Sequence, residues 1–248
     1  MSEERGIIDG PSGRIAFRRI AGAGPVIVWL GGFKSDMTGT KAARLAEWAH
    51  ATGRGFLRFD YSGHGGSAGR FEDGTISAWL NDALAAIDTL TVGPVVLAGS
   101  SMGGWIALLA ALARRERIAG LVLIAPAADF TEDLIWNEMT GEERDTVLRD
   151  GRIVEVSPYG DPPSIVTRAL IEDGRKHLLL GGAIAIDARV HIIQGMADAE
   201  VPWRHALKLA ECLQADDLTM TLIKAGDHRL SKPHELGAII AAVEALSA

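Results

Sequence analysis

At Val95-Val96-Leu97-Ala98-Gly99-Ser100-Ser101-Met102-Gly103 a β-branched apolar run passes, with no loop between, into an Ala- and Leu-rich helical pattern that continues to Arg115. Few architectures accept that junction. A strand that turns straight into a helix sends the chain back across its own sheet, which is how one parallel strand reaches the next. The turn reads Gly-x-Ser-x-Gly. Glycines suit it sterically, because side chains at those positions would collide with the flanking strand and helix. The serine between them is expected to sit in a strained conformation, with its hydroxyl exposed at a helix N-terminus. The plainer reading of the same residues is a Gly-Ser turn that caps a helix.

The rest of the 248-residue chain keeps the same alternation. Strands are expected at Arg14 to Ile20 (early, antiparallel in character), Pro25 to Leu30, Gly55 to Asp60, Val95 to Gly99, Leu121 to Ala125, Val190 to Gln194 and Leu218 to Ile223. Helices are expected at Thr40 to Ala51, Ile76 to Leu90, Met102 to Arg115, Trp203 to Leu213 and Pro233 to Leu246. The fold class is therefore α/β, a mostly parallel central sheet flanked by helices in a single domain over residues 1–248. After Pro126 the rhythm breaks until about residue 187, with Pro158, Pro162 and Pro163 in the middle, and this stretch reads as a small lid insertion.

Composition narrows the function classes. A net charge of −7 opposes binding to nucleic acid, which needs clustered Lys and Arg to neutralise phosphates. The one basic cluster, Arg114-Arg115-Glu116-Arg117, reads as compensation of a helix C-terminus. The single cysteine, Cys212, has no internal partner, and no run approaches the roughly 18 apolar residues of a membrane span. With an acidic, polar amino terminus, these features point to a cytoplasmic protein without a membrane span. The seven histidines are scattered without ligand spacing, so no metal is expected. Gly22-Ala23-Gly24 precedes a strand where a dinucleotide-binding loop would follow one, so no cofactor is expected either.

A serine hydroxyl is a weak nucleophile and needs a neighbouring base, itself oriented by a third group. His228 follows the last strand and Asp198 follows the strand before it. Both therefore belong at the carboxyl edge of the sheet with Ser101, in the chain order nucleophile, acid, histidine. Asp129, shortly after the strand that ends at Ala125, is a competing acid, and Asp227 reads as structural. The oxyanion of an attacked carbonyl would meet the backbone N–H of Met102 and that of Phe33, in Gly31-Gly32-Phe33-Lys34. In the lid, Leu134, Ile135, Trp136 and Met139 make an apolar patch at near-helical spacing. It either lines an acyl groove, with Trp136 and Met139 as substrate-binding residues, or packs the lid onto the domain.

Several longer segments are more specific than the serine turn: Gly39-Thr40-Lys41-Ala42, Arg58-Phe59-Asp60-Tyr61-Ser62-Gly63, Gly99 to Trp105, Val201-Pro202-Trp203 and Asp227-His228-Arg229. In these the chain resembles the α/β hydrolases related to the mitochondrial α/β-hydrolase-domain protein ten and its bacterial relatives, acyl-protein thioesterases and acyl-glucuronide esterases. The resemblance implies an α/β-hydrolase fold. It also implies ester and thioester hydrolysis by Ser101, Asp198 and His228, on small-molecule or acylated-protein substrates. The loop of Asp60, Gly63, His64, Gly65 and Ser67 is expected to hold a tight turn beside the nucleophile loop, with His64 outside the chemistry. Two other functions fit the same residues: carbon-carbon bond hydrolysis of a vinylogous diketone by the same triad, and a non-catalytic ligand receptor.

Overall fold

The computed structural model describes residues 3–155, 164–215 and 217–247, so Pro158, Pro162 and Pro163 lie outside the described residues. Twelve strands are present among them: β1 (Glu4–Gly10), β2 (Gly13–Ile20), β3 (Ala23–Leu30), β4 (Arg54–Phe59), β5 (Val95–Ser100), β6 (Ile118–Ile124), β7 (Arg152–Glu155), β8 (Ser164–Thr167), β9 (Ile184–Ala185), β10 (Arg189–Gly195), β11 (Leu213–Gln214) and β12 (Leu218–Ile223). The α-helices are α1 (Thr40–Thr52), α2 (Ile76–Leu90), α3 (Met102–Ala113), α4 (Gly141–Asp150), α5 (Arg168–Gly174), α6 (Trp203–Cys212) and α7 (Pro233–Ser247).

Eight strands form one sheet in the order β1-β2-β4-β3-β5-β6-β10-β12, antiparallel only at the β1–β2 and β2–β4 pairings. Its central strands β5 and β6 are almost wholly apolar because both faces are covered, whereas the edge strand β12 alternates with threonines and is partly exposed. Val28, Leu30, Leu97, Leu121 and Leu123 pack on one face with α2, α3 and α6, in a core that holds Trp79 and Trp105. Their neighbours Ile27, Trp29, Val96, Val122 and Ile124 pack on the other with α1 and α7. That strict alternation is the two-residue period of a strand buried on both sides.

The order reverses at β3. The chain moves from β3 to β4 on one side and later returns to β5 on the other, so the loops after β3 and β5 leave the sheet next to each other. Leu30 pairs with Gly99 at this edge, and a crevice opens at such a switch point.

The hairpin strand β1 was not expected from the sequence. Its residues alternate between exposed and half-buried, and it is held by backbone pairing to β2 with little apolar signal of its own. The basic cluster meets the end of α3 as expected, with Arg114 donating to Ala113 O, and it also ties the helix to its neighbours: Arg114 pairs with Asp88, Arg115 with Asp187, and Arg117 donates to Gly93 O. Among the described residues, no helix is long and apolar enough to cross a membrane.

Between β6 and β10 lie a wide π-type turn (Thr131–Trp136), α4, the β7–β8 hairpin and α5. They carry a small core of their own, made by Met139, Val147, Val166 and Ile171, with Ile135, Trp136 and Ile153 against it.

Candidate active site

The turn between β5 and α3 owes its shape to the absence of side chains. A Cβ on Gly99 would lie 2.2 Å from Gly103 O, and one on Gly103 would lie 2.1 Å from Leu30 O, both backbone atoms that cannot swing away. Ser101 sits between them at φ 55 and ψ −121, in the left-handed half of backbone space that a residue with a Cβ normally avoids. Its amide is held by Ile124 O at 2.9 Å, and its carbonyl accepts from Gly104 and Ala127. A serine at a helix N-cap usually spends its hydroxyl on the first turn. Here it makes no capping bond, and Oγ instead lies 3.1 Å from His228 Nε2.

His228 and Asp198 reach this point on two loops bound together by backbone. Ala197 N donates to Gly226 O at 2.9 Å, and Gly195 and Gly226 touch so closely that a Cβ on Gly195 would meet Gly226 O at 2.3 Å. His228 Nδ1 donates to Asp198 Oδ2 at 2.9 Å. With Nδ1 protonated, a neutral imidazole presents Nε2 as acceptor to the Ser101 hydroxyl. The Asp198 side chain is fully enclosed, its Oδ1 taken by the amides of Glu200 and Val201 at 2.9 and 2.8 Å. Asp227, read as structural, accepts from the amides of Arg229 and Leu230 and so closes the turn behind His228.

Asp129, the competing acid, is occupied elsewhere. Its carboxylate receives the Leu179 and Leu180 amides at 2.7–2.9 Å and pins the chain that follows α5. Burial pushes its pKa up, opposed by those two amides.

The loop after β3 touches the nucleophile. A Cβ on Gly32 would lie 3.4 Å from Ser101 Cβ, which puts the backbone of Gly32 and Phe33 beside the serine. Met102 is the first residue of α3, where an amide has no partner inside the helix. Among the described residues, neither the Phe33 nor the Met102 N–H meets a protein acceptor. The Phe33 ring packs against Phe71, Trp79 and Phe130 at centroid distances of 4.8, 5.8 and 5.7 Å.

Trp136 and Met139 stand apart from this group in their contacts. The guanidinium groups of Arg144 and Arg175 stack on Trp136, 5.6 and 4.8 Å from its ring, and Met139 is buried in the small core of the segment between β6 and β10. Of the two readings left open by their spacing, these contacts favour packing.

The sequence reading missed Gln194 and the clamp on the loop after β3. Gln194, fully buried at the end of β10, donates to Asp198 Oδ2 at 3.1 Å and to Val201 O at 3.0 Å. The clamp comes from β4 and the turn after it. Arg58 Nη1 donates to Met37 O at 3.1 Å, Asp60 Oδ1 accepts from Met37 N at 2.6 Å, and His64 Nε2 accepts from Lys34 N at 3.2 Å. The only signal for it was the density of polar residues from Arg58 to Ser67 directly after a buried strand.

A strained serine at a strand-to-helix turn, hydrogen-bonded to a histidine and through it to a buried carboxylate on a mostly parallel sheet, defines the class as an α/β hydrolase of serine type. Comparison with known proteins agrees. The family model described as serine aminopeptidase, S33, matches residues 25–169, and the chain belongs to this family of α/β hydrolases. The mitochondrial palmitoyl-protein thioesterase ABHD10 of mouse is 33% identical over 233 residues, covering 94% of this chain and 78% of the relative. The solved structure of mouse α/β hydrolase domain-containing protein 10 superposes with a TM-score of 0.90 at 31% identity over 98% of both chains. A crystal structure from Agrobacterium vitis S4, described as a hydrolase, superposes with a TM-score of 0.96 at 46% identity over the whole of both chains.

Proposed function

We propose that this chain is an esterase or thioesterase that works through an acyl-enzyme on Ser101. The observation that carries the reading is the unbroken chain of hydrogen bonds from Asp198 through His228 to Ser101, at 2.9 and 3.1 Å. As Ser101 Oγ attacks the acyl carbonyl, its proton passes to His228 Nε2, and Asp198 stabilises the imidazolium that results. The carbonyl oxygen becomes an oxyanion facing the N–H groups of Phe33 and Met102 and the N-terminal dipole of α3. Collapse of this tetrahedral species breaks the bond to the alcohol or thiol, which leaves with the proton from His228. A water molecule then gives its proton to His228 and attacks the acyl-serine, releasing the carboxylic acid and restoring the Ser101 hydroxyl.

The proposed substrate class is supported by the ABHD10 relatives, which are named as palmitoyl-protein thioesterases. Acylated proteins and small acyl conjugates are the candidates. These relatives are named as mitochondrial proteins.

The test is intact-protein mass after brief exposure to medium- and long-chain p-nitrophenyl esters and acyl-CoA thioesters, for wild type and Ser101→Ala. Turnover or an acyl adduct confined to the wild type supports the mechanism and ranks the chain lengths. Equal turnover by both proteins would reject Ser101 as nucleophile. No reaction from either, with both folded, would turn attention to carbon-carbon bond hydrolysis by the same residues.

A further inference from the structure

We infer that His64 is a positioning residue that fixes the oxyanion-binding backbone at Phe33 by accepting a hydrogen bond from the next amide in the chain, that of Lys34. The inference rests on the assignment of Phe33 N–H as an oxyanion donor and adds to it the group that holds that donor in place.

The loop after β3 has a difficult shape to keep. Lys34 takes φ 61, a conformation that side-chain-bearing residues enter at a cost and hold only when their surroundings impose it. The peptide between Phe33 and Lys34 is rigid, so whatever fixes the Lys34 amide also fixes the carbonyl of Phe33 and limits rotation of its N–H. His64 Nε2 is the acceptor, at 3.2 Å. Its other nitrogen, Nδ1, lies 3.1 Å from Ser62 O. A carbonyl can only accept, so Nδ1 carries the proton and Nε2 is left with the lone pair that Lys34 N–H needs.

The imidazole has little freedom to leave this arrangement. It is 4% exposed and packed edge-on against Tyr61, Phe71 and Trp79, with centroids 5.8, 5.2 and 5.4 Å away. Phe71 and Trp79 also hold the Phe33 ring, so one aromatic cluster grips the side chain of residue 33 and the amide of residue 34 together. Burial lowers the His64 pKa, against the opposing pull of Ser62 O and Asp60, and favours the neutral ring that can accept. Farther along the same loop, Arg58 and Asp60 bind the two backbone groups of Met37. The segment from Arg58 to His64 therefore clamps the loop at two points, Met37 and Lys34, the second next to Phe33 in the chain. The hydrogen bonds of His64 go to Lys34 and Ser62, so its effect is exerted through Lys34 and Phe33.

Oxyanion donors lower the barrier only where they meet the developing charge, and a small displacement costs rate more than ground-state binding. The experiment compares wild type with His64→Phe, which fills the cavity without an acceptor, and with His64→Gln, whose Oε1 can reach the position of Nε2. For a p-nitrophenyl ester, kcat of His64→Phe should fall by roughly 10- to 100-fold while KM stays within about 3-fold. Affinity for an alkylboronic acid, which forms a tetrahedral adduct on serine, should fall in parallel. His64→Gln should recover most of both losses. A His64→Phe protein with kcat and boronate affinity within about twofold of wild type would overturn the inference. So would losses of equal size in both variants.

A further measurement needs no variant: nitrogen-15 shifts of wild-type His64 should report the Nδ1–H tautomer, and an Nε2–H tautomer would overturn the assignment. Failure of the underlying mechanism has a different signature, since Ser101→Ala would then turn over the ester as the wild type does.

Discussion

Gln194 Nε2 and His228 Nδ1 converge on one oxygen of Asp198, at 3.1 and 2.9 Å. The other oxygen is filled by the Glu200 and Val201 amides. With four donors on two oxygens and no solvent at the side chain, the carboxylate has one orientation open to it. That orientation selects the tautomer of His228. Gln194 has no part in proton transfer, yet it sets the direction from which Asp198 addresses the imidazole.

The two candidate acids predict opposite outcomes for a one-atom change. Asp198→Asn keeps shape but places an amide opposite His228 Nδ1 and favours the wrong tautomer, a change that lowers kcat by about 10⁴ in comparable triads. Asp129→Asn keeps an acceptor for the Leu179 and Leu180 amides, and asparagine tolerates the φ of 57 found there. It should leave kcat within about fivefold of wild type while lowering Tm. Steady-state rates on one p-nitrophenyl ester decide it, and a loss in Asp129→Asn matching that in Asp198→Asn would overturn the choice of acid.

The sheet was legible because its strands carry the two-residue alternation that sorts Val28 from Ile27 and Leu97 from Val96 onto opposite faces. The serine and histidine were legible for a different reason. Strand ends in a parallel sheet gather at one edge, so position in the chain order translates directly into position in space. What escaped the sequence was whatever depends on contact between distant segments. His64 and Lys34 are 30 residues apart, and the polar run around His64 does not say which distant backbone group it will bind. The same holds for β1, which is held mainly by backbone pairing to β2, with Ile8 its main apolar contact to the core. In the lid, an apolar patch at helical spacing looks alike whether it faces a substrate or its own small core.

Lys41 gives a pH dependence whose sign can be worked out. Its ammonium is half-buried in α1 behind the His228 turn, donates to Arg229 O, and is surrounded by Asp227, Glu235 and Asp198. Burial lowers its pKa to about 8, with Asp227 and Glu235 opposing the shift. In the window between about 8 and the ordinary value of 10.5, the unfolded chain binds the proton and the folded chain does not. This group's contribution to stability therefore rises with pH across that window and is lost as pH falls through 8. Lys41→Met removes the effect. The Tm of the variant minus that of the wild type should be most favourable to the variant near pH 7 and shift steadily against it up to pH 10.5. A difference that stays flat over the range, measured by scanning fluorimetry, would mean that Lys41 titrates as an ordinary surface lysine.

Trp136 tests whether the segment between β6 and β10 uses its apolar residues for packing or for selection. Its ring is covered by Arg144 and Arg175, its carbonyl accepts from Arg144 Nε at 2.9 Å, and its neighbours Ile135 and Met139 belong to the lid core. Truncation to alanine removes two cation–π contacts worth about 0.5–1 kcal/mol each at partly exposed sites, together with part of the ring's apolar burial. A total of about 2–3 kcal/mol corresponds to a Tm lower by roughly 4–12 °C in a domain of this size. With two arginines already stacked over the ring, Trp136 is engaged in packing and not in reading an acyl chain. The ranking of C4 to C16 p-nitrophenyl esters should therefore be unchanged in Trp136→Ala at a temperature where both proteins are folded. A shifted ranking with an unchanged Tm would instead assign the ring to the acyl groove, and would mean that the two arginines give way when substrate binds.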